Sequence, residues 1–148
     1  MTTTETMTAD LKALLARVEG ATGPSDELDA LILCALVAPA GCYVERSKYN
    51  GAWCIFEPMN GRSVARLWED RGPFREGGWP LTSSLDATTS LVERVRPGWA
   101  WGVGNTEAGS QAYLMKRGAG LIGGRARSPA LALLSALLRS LIETDNAE

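Results

Sequence analysis

The residues able to do chemistry in this 148-residue chain are few, and their types exclude more than they suggest. There is no histidine, so neither a Ser-His-Asp nor a Cys-His nucleophile can be assembled, and the commonest general base near neutral pH is missing. The three cysteines, Cys34, Cys42 and Cys54, show no C-x-x-C spacing, which argues against structural zinc. They read as buried, reduced thiols, Cys34 on a helix and Cys54 within a strand. Glu57, Glu69, Asp70 and Glu76 have the chemistry for an acid/base pair or an oxygen-ligand metal site. Glu69-Asp70 is the adjacent pair, and it sits in a loop where solvated charge is the simpler account. The segment Gly118-Ala-Gly120-Leu-Ile-Gly123 matches G-x-G-x-x-G, but a dinucleotide site needs a helix opened directly after a strand and a further strand beyond it. Here the next helix starts only at Ser128, so a glycine-rich hairpin turn is expected instead. No catalytic residue, metal or cofactor is assigned, and the chain is not expected to be an enzyme.

Two binding candidates remain. Lys116, Arg117, Arg125 and Arg127 precede Ser128, the start of the last helix, where free N–H groups and the helix dipole favour an anion. The loop from Glu69 to Ser83, EDRGPFREGGWPLTS, is long for a compact domain, and loops of that length are often functional. Its Phe74 and Trp79, with Arg71 and Arg75 beside them, form a candidate anchor for a partner. The tryptophans Trp53, Trp68, Trp99 and Trp101 fall in expected strands, where packing into a core is the default.

The elements that must position these groups follow from local signals. A first helix is expected from near Thr8 or Asp10 to Gly20, after an N-terminal tail over residues 1–9, with Leu11, Leu14, Leu15 and Val18 as its stripe. Ser25 caps a second helix, with Asp26 and Glu27 in its first turn and Leu28, Leu31, Ile32 and Ala35 on one face; Pro39 and Gly41 close it. Strands are expected at Cys42–Glu45, Trp53–Glu57 and Ser63–Trp68, separated by the hairpin signals Asn50-Gly51 and Asn60-Gly61. Ser84 caps a helix carrying Leu85, Thr88, Leu91, Val92 and Val95, which Pro97 stops and Gly98 turns into a strand through Trp99, Trp101 and Val103. Further strands are expected at Gln111–Lys116 and Gly120–Ile122. Ser128-Pro129 then starts a helix to about Thr144, apolar nearly all round, which is to be buried between layers or shared with a second subunit.

Composition sets the outer bounds. Apolar residues make up 45% and charged residues 22%, as in an ordinary globular protein, and the net charge of −2 gives no signal for nucleic acid or membrane. The opening MTTTETMTAD lacks the basic and apolar regions of a secretory signal, and Ala130–Ile142 is too short and too interrupted for a membrane span. A cytoplasmic protein is expected. The fold class is α/β of the α+β kind: an antiparallel-dominated sheet of about five strands sandwiched between helices. It should be a single domain over residues 10–144, with a short tail over 145–148.

The pattern LKALLARVEGATGPSDELDALI, then SLDATTSLVERVRPGWAW, then SPALALLSALLRSLI resembles a family of small proteins common in phages and prophages of proteobacteria, named for an alpha-beta-alpha (ABA) sandwich. The resemblance covers both ends and the middle of the chain and leaves residues 42 to 80 largely unmatched. It implies a fold and a genomic setting, and it transfers no catalytic residues. With it, the expected function is a non-enzymatic phage or prophage binding module, an inhibitor of a host defence system or an accessory factor. A protein partner is favoured over a small molecule, nucleic acid and membrane are not expected, and a homodimer stays open. The alternative is a protein that binds or sequesters a nucleotide or other anion.

Overall fold

In the computed structural model the chain is described over residues 3–37, 42–46, 53–56, 81–118 and 120–147. It falls into two compact units, one from residues 25–80 and one made by the flanks, 1–24 with 81–148. Five strands are described, at five of the six expected positions and paired antiparallel throughout, and the class is α+β. The strands lie in a two-stranded and a three-stranded sheet, where one sheet was expected.

In the 25–80 unit the helix Asp26–Leu36, designated α2, packs on the hairpin of β1 (Tyr43–Arg46) and β2 (Trp53–Phe56). Ser25 Oγ accepts from the Leu28 backbone N–H at 3.2 Å, the expected cap. The buried face differs from the expected one: Leu28, Asp29, Ile32 and Leu33 are buried, Leu31 is half-buried and Ala35 is exposed. The helix is rich enough in apolar residues for several overlapping stripes, and the rotation that hides Leu33 removes more area from water than one that hides Ala35. Across the hairpin Tyr43 pairs with Phe56, their ring centroids 5.7 Å apart and their planes inclined by 27°, and the Arg46 guanidinium lies 5.8 Å from the Trp53 ring centroid. The expected strand at 63–68 and both Asn-Gly turns lie outside the described residues.

The other unit contains α1 (Thr3–Gly20), α3 (Leu85–Val95), the sheet β3 (Ala100–Thr106), β4 (Gly109–Met115) and β5 (Leu121–Ala126), and α4 (Pro129–Ala147). α1 begins five residues or more before its expected start, so most of the expected tail is helical. Threonine lowers helix propensity by only some tenths of a kcal/mol per residue, and extending an existing helix needs no new nucleus. The α3–β3 joint forms as the residues dictate. Ser84 Oγ accepts from the Ala87 N–H at 3.2 Å, the helix ends at Arg96, and Gly98 takes a φ of 83°. Thr88 occupies the apolar stripe because its buried hydroxyl donates to the Leu81 carbonyl at 2.8 Å. Arg96 then reaches α4, with Nη2 donating to the Ser140 carbonyl at 3.2 Å and its guanidinium 4.9 Å from the Trp99 ring centroid.

α4 is the core. Ser128 Oγ accepts from the Leu131 N–H at 3.2 Å, Pro129 follows as the first helical residue, and every residue from Ala130 to Leu138 is buried. Leu131, Leu133, Leu134, Leu137 and Leu138 are wholly inaccessible, and burying each contributes about 1.5–3 kcal/mol. The helix lies on β4 and β5, and α1 and α3 pack beside it. Burial inside the fold, one of the two expectations for this helix, is what the structure shows.

Candidate functional site

The register of the three-stranded sheet decides which residues share a surface. β3, β4 and β5 pair antiparallel in that order. Successive side chains point to opposite faces. Trp101, Val103, Ala112, Leu114, Ile122 and Gly124 therefore face the helices, and Gly102, Gly104, Gln111, Tyr113, Met115, Leu121, Gly123 and Arg125 face away.

On the helix side Gly124 is where the backbone of α4 comes down on the sheet. A methyl group built on it would collide with the Ala136 nitrogen and sit 2.8 Å from both the Ala132 carbonyl oxygen and Ser135 Oγ. The glycines following the expected hairpin turn thus have two roles. Gly118, with φ 81°, makes the turn, while Gly124 lets a helix approach. Nothing in the sequence distinguishes the two roles except the strand parity that the register supplies.

The opposite face is open. Tyr113, Met115 and Leu121 are 40%, 41% and 63% exposed, and the glycines between them leave backbone as the floor. Tyr113 has a glycine on each neighbouring strand, Gly102 and Gly123. Its ring lies over Gly102, where an added methyl would be 2.6 Å from Cζ and Oη, and among the described residues no side chain lies within 4 Å of the Cβ position at Gly104 or Gly123. The result is a groove of about 610 Å³ whose lining also takes in Glu19 and Arg139. Those two residues tie α1 to α4: Arg139 Nη2 donates to the Glu19 carboxylate oxygens at 3.0 and 2.8 Å, and Ser135 Oγ adds a bond at 3.3 Å. Arg139 Nε is buried without an acceptor among the described residues.

The expected anion cluster is divided. Arg125 and Arg127 lie at the end of β5 next to α4, but Lys116 and Arg117 are in the β4–β5 turn, beyond the Met115–Leu121 pair at the other end of the hairpin. Proximity in sequence across a hairpin puts residues far apart when they fall at its two ends. The Ser128 hydroxyl is occupied as a cap. The expected partner anchor, Phe74 and Trp79 with Arg71 and Arg75, lies outside the described residues, as do Glu57, Glu69, Asp70 and Glu76. Among the described residues no group of three or more cysteines and carboxylates is placed to hold a metal ion. No described helix is long and apolar enough to cross a membrane.

The cysteines are half-buried, where full burial was expected, and none is in a disulfide. Cys34 Sγ donates to the Cys42 carbonyl at 3.2 Å, and burial, with Cys42 adding to it, pushes the Cys34 thiol up from its ordinary value. A thiol held protonated in this way is a weak nucleophile. Trp99 and Trp101 are half-buried and are not among the residues that line this groove.

Comparison with known proteins adds no match: no family model, curated protein or solved structure corresponds to this chain.

Proposed function

We propose that the chain is a non-enzymatic binding module that makes its contacts through the outer face of β3–β5. The observation that carries this is the pairing of an exposed apolar row, Tyr113, Met115 and Leu121, with a bare glycine floor. Exposed apolar surface of this kind marks contact sites. The resemblance to phage and prophage proteins supplies a setting: such a module would serve as an inhibitor of a host defence system or as an accessory factor, with a macromolecule as its partner. The test is capture from host lysate with the wild-type chain and with the Tyr113→Ala and Leu121→Asp variants. A partner retained by the wild type and lost by both supports the proposal; a partner retained equally by all three refutes it.

A second reading, a binder of small anions, is favoured by one observation: the exposed Arg125 lines the groove and makes no ion pair among the described residues. A rise in melting temperature with a nucleotide alone, abolished by Arg125→Glu, would support it.

A further inference from the structure

The whole-chain charge of −2 conceals a local excess of the opposite sign. Between Ala100 and Arg127 the chain carries Lys116, Arg117, Arg125 and Arg127 against the single carboxylate of Glu107. All four cationic residues are exposed, and none of their side chains makes an ion pair or hydrogen bond among the described residues. The hairpin register places two of them at each end of β4–β5. Five residue steps, from Leu121 to Ala126, separate those ends by about 17 Å at the rise of an extended strand. Between them the Tyr113 ring lies on Gly102, while the floor over Gly104 and Gly123 is bare of side chains among the described residues.

We infer that this face binds single-stranded nucleic acid, its phosphates following the hairpin between the two cationic ends and a base stacking on Tyr113. The inference rests on the sheet face being the contact surface. Cations this far apart suit a linear polyanion, whereas one phosphate group would need them together. Every base has a flat face able to stack on an aromatic ring, and a floor without side chains lets a base reach that ring. An acidic protein surface would match the charge but leave the bare floor unfilled. The overall charge hid this surface because the remainder of the chain carries the excess of carboxylates.

The test is fluorescence anisotropy with labelled oligothymidylate and oligouridylate of about a dozen nucleotides, within the roughly 4–16 that one such binding face occupies. The wild type should bind with a dissociation constant at or below about 100 µM at low salt, the weak end for sequence-independent binding. Arg125→Glu with Arg127→Glu should weaken binding by about tenfold or more. It should also make log K less steep in log salt by about 1.4, at roughly 0.7 per phosphate contact on single strands. Lys116→Glu with Arg117→Glu, in the exposed turn, should do the same and guards against a misfolded first pair. Tyr113→Ala should lose about fivefold or more, and Tyr113→Phe should restore binding, because stacking needs the ring and not the hydroxyl. Absence of binding by the wild type, or binding indifferent to these substitutions, would overturn the inference. If neither oligonucleotide binds while a nuclease-resistant host protein is still captured through Tyr113 and Leu121, this inference falls and the contact-surface proposal stands. If that capture also ignores both substitutions, both fall.

Discussion

The two faces of β3–β5 are built by alternate residues of the same strands, yet they obey opposite rules. On the face toward α4, Leu114 and Ala112 are buried under a helix whose leucines are inaccessible, and Gly124 is a glycine because backbone presses on it. On the other face, among the described residues, a Cβ at Gly104 would meet nothing within 4 Å and one at Gly123 only the Ala112 carbonyl oxygen at 3.9 Å, and Tyr113 stands exposed. The same residue type is thus compulsory on one side and optional, as far as folding goes, on the other. What folding does not require of the outer glycines is the room they leave above the backbone, and that is the reason to look for function there.

Substitutions can break or sharpen this contrast. The largest loss is expected from Leu134→Ala, at the centre of the inaccessible leucines, which should cost about 2–5 kcal/mol in denaturant unfolding. Gly124→Ala should follow at about 1–3 kcal/mol, since a single methyl must displace the backbone of α4; an unchanged stability would show that the helix does not rest on this strand. Tyr113→Ala should cost about 1 kcal/mol or less, the worth of a ring lying over a cross-strand glycine. Gly104→Ala should be neutral or stabilising by some tenths of a kcal/mol, because its Cβ position is open and the unfolded chain loses freedom. If Gly104→Ala proves as damaging as Gly124→Ala, the outer face is a covered surface and the contrast fails.

Much of the fold is legible in sequence where the signal is local. Ser25, Ser84 and Ser128 each cap a helix through the N–H three residues on, and Pro97-Gly98 ends α3 where the backbone chemistry requires. These depend on a few consecutive residues. What was not legible depends on pairing. The four cations are neighbours in sequence, and only the Met115–Leu121 and Ser110–Ala126 register shows that they sit at opposite ends of a hairpin. The open groove was hidden for the same reason, since its floor is defined by which glycines face away from α4. Asp29 and Leu33 on α2 illustrate a third limit: where several apolar stripes overlap, the neighbouring hairpin chooses the buried one.

The bond between Glu19 and Arg139 joins residues 120 positions apart in the chain. During synthesis α1 leaves the ribosome long before α4 exists, and at roughly 5–20 residues per second the interval is on the order of ten seconds. For that time Leu11, Leu14 and Val18 have no leucine helix to lie against. The unit closes only when its last segment arrives, so a stalled or truncated product exposes an apolar helix that the finished protein conceals.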